Sequence, residues 1–344
     1  MKGLESISLA YATPSLGMHP KHTLEKKLHA AAKAGFNGVE MGFDDLCVYS
    51  KQHNRGFKGD EDVPTLLKSA KEIRDLCAQL RLEIICLQPF TDFEGVMSLM
   101  ERRDRMERAE RWFKIMAELG TTMLQLCSTD NPRTIGDIDA LAYSLASLCD
   151  SAAAKSPPIR IAYEPWCWGV HTNTWEAGWD MVRHVNRPNF GLILDTFQVA
   201  GREWADPTSP TGLIEGYDEQ ELTARFEASM ESLARTVPAD KIFYIQISDA
   251  LKMDPPIVEG GYKEFKQGKP ARAHWSHAYR PLPFENGYLP VIAALRGFLG
   301  TGFRGWVSME VFEERQMEED DGIPEEYAQK GMTVWKRLVN ELER

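Results

Sequence analysis

The sequence is short of positive charge: 40 Lys and Arg stand against 51 Asp and Glu in 344 residues, for a net charge of −11. Nucleic-acid binding needs a basic stripe, so a polyanionic partner is excluded. The acids bunch near the C-terminus (Glu313, Glu314, Glu318, Glu319, Asp320 and Asp321), where a solvated surface is their ordinary role. No apolar run is long enough to span a bilayer, and no membrane role is expected. Met1-Lys-Gly-Leu-Glu-Ser-Ile-Ser8 lacks the charged and apolar regions of a signal peptide. The six cysteines, Cys47, Cys77, Cys86, Cys127, Cys149 and Cys167, form no C-x-x-C pair and sit mostly in apolar patterns. They read as reduced thiols, which makes the cytoplasm the expected compartment. No G-x-G-x-x-G follows a strand, so a dinucleotide enzyme is not indicated. No stretch rich in Pro, Gly or Ser divides the chain, and one domain over residues 1–344 is expected; homo-oligomerisation is left open.

What is there is an alternation of short apolar runs and amphipathic segments. Strands are expected at Ile7–Thr13, Gly38–Phe43, Glu83–Leu87, Thr122–Cys127, Arg160–Tyr163, Phe190–Asp195, Lys241–Gln246 and Gly305–Glu310. Helices are expected at Thr23–Ala34, Val63–Leu80, Arg102–Leu119, Ile138–Ala154, Glu176–Val185, Glu219–Arg235, Leu289–Phe298 and Pro324–Leu342. Strands that are continuously apolar belong to parallel sheets covered on both faces. Eight such units in one chain favour a closed (β/α)8 TIM barrel, an α/β fold, over an open sheet. Two long loops, Ala200–Asp218 and Leu251–Asn286, follow the sixth and seventh strands on what would be the catalytic face.

The chemistry gathers at strand ends. Arg160-Ile-Ala-Tyr-Glu164 delivers a carboxylate at the end of the fifth strand, followed by Pro165-Trp-Cys-Trp-Gly169. Gly191-Leu-Ile-Leu-Asp195 and Trp306-Val-Ser-Met-Glu310 end in acids, and Ile242-Phe-Tyr-Ile-Gln246 ends in an amide. In a barrel these four converge. Three crowded carboxylates cannot all stay ionised without a cation. Oxygen ligands without thiolate or imidazole suit a hard divalent ion such as Mg²⁺ or Mn²⁺ better than Zn²⁺. An ion so held can chelate a carbonyl and a neighbouring hydroxyl and stabilise an enediolate, the first step shared by isomerases, epimerases and β-eliminating dehydratases.

The strand-end pattern resembles the xylose isomerase-like barrel superfamily. The closer resemblance is to the 3-dehydroshikimate dehydratases of quinate and shikimate catabolism, the fungal kind in particular. It rests on Gly35-Phe-Asn-Gly-Val-Glu40, Leu87-Gln-Pro-Phe-Thr-Asp-Phe-Glu-Gly95, Tyr163-Glu164, Trp168-Gly169, Leu194-Asp-Thr-Phe197, Asp249-Ala250, Asp254-Pro-Pro-Ile257 and Ser308-Met-Glu310. The resemblance puts the metal ligands at Glu164, Asp195, Gln246 and Glu310, with Mg²⁺, Mn²⁺ or Co²⁺ as the ion. It implies a lyase acting on a hydroxy-ketone acid, converting 3-dehydroshikimate to protocatechuate and water; the alternative is a sugar or sugar-acid isomerase or epimerase on the same barrel.

In that reading Arg280 is the first choice for gripping the substrate carboxylate and Arg202 the second, because the guanidinium offers a bidentate fork. The base is left open among His53, His171, His277 and Glu310, and Glu164 is counted with Glu310 and His53 among the catalytic candidates. Glu40 and Gln88, at ends of the second and third strands, are candidates for substrate contact. Three departures mark this chain. Trp275-Ser276-His277 stands where the family has Trp-Ser-Arg, Pro165-Trp-Cys167 where it has small and aliphatic residues, and Gln198 where bacterial members have histidine.

Overall fold

The eight apolar runs close on one another. The structure, a computed structural model, describes residues 2–260 and 269–344. The strands are β1 (Ser8–Ala12), β2 (Gly38–Gly42), β3 (Glu83–Phe90), β4 (Met123–Cys127), β5 (Arg160–Glu164), β6 (Phe190–Asp195), β7 (Ile242–Ile247) and β9 (Trp306–Met309). They form a closed parallel barrel in the order β1-β2-β3-β4-β5-β6-β7-β9. The seam is sealed by β9 against β1, with Ser8 opposite Trp306. A separate antiparallel pair, β8 (Tyr279–Arg280) and β10 (Phe312–Glu313), ties the loops after the last two barrel strands.

The helices are α1 (Leu24–Ala34), α2 (Phe43–His53), α3 (Val63–Leu80), α4 (Leu99–Leu119), α5 (Ile138–Ala153), α6 (Trp175–Val185), α7 (Thr196–Glu203), α8 (Glu219–Thr236), α9 (Ala271–Ala278), α10 (Val291–Gly300) and α11 (Ile323–Glu343). From α3 to α8 each begins with a side chain that accepts from its first turn: Asp62, Ser98, Asp137, Thr174, Asp195 and Asp218. Ala10, Ile85, Met123, Ala162, Ile193, Phe243 and Tyr244, all from strands, form an apolar cluster that fills the barrel interior. Gly191 makes room there, since a Cβ on it would lie 2.5 Å from the Phe243 ring.

Three expectations need correction. A helix, α2, starts at Phe43 directly after β2, so His53 ends a helix where a loop was expected. The Ala200–Asp218 loop is shorter than expected, because α7 starts straight after Asp195 and runs to Glu203. The 251–286 segment carries α9 and β8, while residues 261–268 lie outside the described residues. Among the described residues no helix is long and apolar enough to cross a membrane.

Candidate active site

Because the strands are parallel, their C-terminal ends share one rim. Glu164 closes β5, Asp195 closes β6, and Glu310 follows β9. Asp195 is paired in register with Gln246, and Gln246 with Ser308. A ligand oxygen from each of Glu164, Asp195 and Glu310 lies within 4.8 Å of the others, and all three residues are buried. Burial pushes each carboxyl above the usual range. Repulsion from Glu310 adds to this at Glu164, while Arg280 opposes it at Asp195 and Glu310.

Arg280 is the counter-charge already in place. It is 1% exposed, pairs through Nη1 with Glu310 Oε2 at 2.8 Å and through Nη2 with Asp195 Oδ2, and donates from Nε to Ser248 Oγ at 2.6 Å. Three carboxylates and one guanidinium leave a charge of −2, which a divalent cation matches. Gln246 supplies an independent sign of fit. Its Nε2 donates to Glu40 Oε2 at 2.9 Å, and its Oε1 is buried with no hydrogen-bond partner. An orphan carbonyl on the strand beside an acidic triad has the chemistry that a hard ion accepts as a ligand.

The acids are held from behind. Glu164 Oε2 accepts from Gln125 Nε2 at 2.7 Å and Trp166 Nε1 at 3.1 Å, and its Oε1 accepts from Gln198 Nε2 at 3.2 Å. Asp195 Oδ1 accepts from Phe197 N at 2.7 Å and Gln198 N at 3.3 Å, the first turn of α7. Glu310 is held through Oε2 by Arg280, and at its other oxygen Gln88 Nε2 approaches Oε1 at 3.4 Å. Beneath them the Tyr244 hydroxyl donates to Gln125 Oε1 at 2.5 Å and lies 3.0 Å from Glu40 Oε2. Burial, with Glu310 adding to it, raises Glu40 well above the carboxylate range.

Above the acids is a cavity of about 170 Å³ lined by Gln88, Glu164, Trp166, Trp168, His277, Arg280, Glu310 and Phe312, among others. Trp166 and Trp168 stack with centroids 4.7 Å apart, and the His277 ring faces Phe312 in a near-parallel stack. The walls are therefore flat and aromatic, and the floor is acidic.

The structure brings together Glu164, Asp195, Gln246, Glu310, Gln88, Arg280 and His277. Three expected residues stand elsewhere. His53 Nδ1 bonds the Tyr49 carbonyl at 2.9 Å and its Nε2 meets Glu25 at 3.1 Å, on the flank of α2. His171 packs on the Thr134 hydroxyl at 3.0 Å, beside Gly136. Arg202 is exposed on α7 and does not line the cavity. Glu40, fully buried, meets Gln246 beneath the acids and is not part of the cavity lining. The reading from sequence missed Gln125 and Tyr244. Both left a signal: Gln125 is the polar residue of Met123-Leu-Gln-Leu-Cys127, and Tyr244 shares the face of Gln246 two residues on.

The comparisons with known proteins agree with this geometry. The family model of the xylose isomerase-like TIM barrel matches residues 28–338. The chain is 35% identical over 343 residues to a 3-dehydroshikimate dehydratase of Neurospora crassa, covering 97% of this chain and 94% of that protein. It is 34% identical over 298 residues to a 3-dehydroshikimate dehydratase of Pseudomonas aeruginosa, covering 84% of this chain and 36% of that longer one. Among solved structures, a xylose isomerase-like TIM barrel/4-hydroxyphenylpyruvate dioxygenase fusion protein is 28% identical with a TM-score of 0.72, over 98% of this chain and 43% of that one.

Proposed function

This chain belongs to the xylose isomerase-like TIM barrel family, and on that footing we propose that it is a hydro-lyase that removes water from 3-dehydroshikimate to give protocatechuate. The observation that carries the reading is the buried acidic triad with the orphan Gln246 oxygen beside it, in a chain similar to the Neurospora dehydratase nearly end to end. Glu164, Asp195, Gln246 and Glu310 would hold a divalent ion, with Mg²⁺, Mn²⁺ and Co²⁺ as the candidates. Such an ion supplies positive charge to a ketone oxygen and its neighbouring hydroxyl.

The chain's own residues do the rest. Glu310 is the base of this reading, because it faces the cavity and Gln88 holds its Oε1 only at 3.4 Å. It takes the proton α to the ketone. The C–H electron pair becomes a C=C bond, the C–O bond to the hydroxyl on the next carbon breaks, and that hydroxyl leaves with a proton as water. Enolisation then gives the aromatic ring, with no net oxidation. Glu164 is oriented from behind by Gln125, Trp166 and Gln198. Trp166, Trp168 and Phe312 wall a slot suited to a flat ring and exclude water from it.

The substrate carboxylate is assigned to the side of the cavity where Ser276, His277 and Arg280 meet it. Arg280 is already engaged with Asp195 and Glu310, so it acts there as shared positive charge and not as a free fork. Six free cysteines suit a reducing cytoplasm. The test is ultraviolet detection of protocatechuate when the purified chain is given 3-dehydroshikimate, beside ketohexoses assayed for epimerisation. Product from 3-dehydroshikimate alone supports the reading, and epimerised ketose without protocatechuate overturns it.

A further inference from the structure

Gln246 poses a question of orientation. The two ends of a glutamine amide have nearly the same shape, so packing does not decide which one faces the acids; hydrogen bonds do. Only the oxygen can serve a cation, and a flipped amide would aim two N–H groups at it. Gln246 is fully buried, and its Nε2 donates to Glu40 Oε2 at 2.9 Å, with the Glu310 carboxyl also within reach of the amide N–H groups. Its Oε1 has no hydrogen-bond partner.

Glu40 sits on β2, across the barrel from the strands that bear the ligands, and does not line the cavity. Its reach is wider than one bond. The Tyr244 hydroxyl, 3.0 Å from Glu40 Oε2, donates to Gln125 Oε1, and Gln125 Nε2 then donates to Glu164 Oε2.

We infer that Glu40 is a positioning residue for the ion-binding cluster: it holds the Gln246 amide by its nitrogen and so leaves the Gln246 oxygen free for the ion. This rests on the reading that the cluster holds a divalent cation. A glutamine at position 246 and an acceptor at position 40 are thus one device. A carboxylate at 246, with two equivalent oxygens, would have no need of it.

Manganese affinity of the full chain, stripped with chelator and titrated with Mn²⁺ under calorimetry and electron paramagnetic resonance, tests this without reference to activity. Four proteins form a cycle: the parent, Glu40→Ala, Gln246→Glu, and both changes together. Glu40→Ala should weaken Mn²⁺ binding about 10–100-fold in the parent, the usual effect of losing a residue that orients a ligand. With Gln246→Glu already present it should weaken binding by less than about threefold, or strengthen it by removing a nearby acid. Glu40→Gln keeps an acceptor for the amide and should stay within about threefold of the parent.

Equal losses in both backgrounds would mean general damage, and a loss in Glu40→Gln as large as in Glu40→Ala would mean that only charge matters; either overturns the inference. If Glu40→Ala does not fold, Glu40→Met, which fills the space without an acceptor, takes its place beside Glu40→Gln. A parent chain that binds no Mn²⁺ overturns the ion-binding reading and this inference together, whereas tight parent binding without the coupling overturns the inference alone.

Discussion

Glu203, the last residue of α7, should make the protein less stable as pH rises, and Glu203→Gln should remove that effect. Its Oε2 accepts from Ser229 Oγ at 2.5 Å, and Ser229 accepts in turn from Trp175 Nε1 at 2.9 Å. Its Oε1 is buried without a partner. Burial, with repulsion from Glu176, pushes the carboxyl from its ordinary 4.5 up to about 8. Between those values the folded chain holds a proton that the unfolded chain has released. The stabilisation from that proton is complete below pH 4.5 and is lost as pH climbs through 8. The displacement sets a ceiling of roughly 5 kcal/mol, and solvent relaxation around a partly exposed group reduces it to about 2–3 kcal/mol. Glutamine mimics the neutral acid at every pH. The variant should match the parent near pH 5 and melt about 4–6 °C higher at pH 9, at ~2 °C per kcal/mol for a chain this long. Thermal unfolding by circular dichroism from pH 5 to 9, at fixed metal content, measures it. Parallel curves for parent and variant across that range would refute the reasoning.

Three further outcomes follow from the geometry. Gly287 lies so close to Asp249 that an added Cβ would sit 2.1 Å from its Cγ, and Asp249 Oδ1 accepts from Ala250 N and Leu289 N. Gly287→Ala should therefore lower stability by about 2–3 kcal/mol, read as a shift in urea midpoint; an unchanged midpoint would contradict the packing. Arg280→Met leaves Asp195 and Glu310 buried without their counter-charge, and should destabilise the ion-free chain by about 3–5 kcal/mol. Added Mn²⁺ should restore much of that melting temperature, and an equal deficit with and without Mn²⁺ would count against the shared-charge account. His53→Ala, on the flank of α2, should change kcat/KM by no more than about twofold, as for an ordinary surface change; a tenfold drop would return His53 to the list of catalytic groups.

The barrel was legible because each strand is a short continuous apolar run ended by a helix signal, and eight such units leave few other ways to bury them. The acids were legible because each stands at the last position of its run, where parallel strands share a rim. The partner of each side chain was not. Arg280 looked like a grip for substrate, yet it lies between Asp195 and Glu310, contacts 85 and 30 residues away in sequence that no local pattern encodes. Glu40 read as a residue at a strand end facing substrate, but the inward pleat of β2 carries it beneath Gln246. The short helices α2 and α7 were hidden by polar residues that read as loop. Asp44 and Asp45 lie in the first turn of α2, and Asp195 caps α7 with the oxygen that does not meet Arg280.

The most direct measurement is protocatechuate formation from 3-dehydroshikimate by the chelator-stripped chain, with and without added Mn²⁺, in the parent and in Glu310→Gln. The account expects no product without the ion, full turnover with it, and a loss of at least about a hundredfold in Glu310→Gln, as for removal of a catalytic base. Equal turnover by the stripped and reloaded chains, or an active Glu310→Gln, would contradict it.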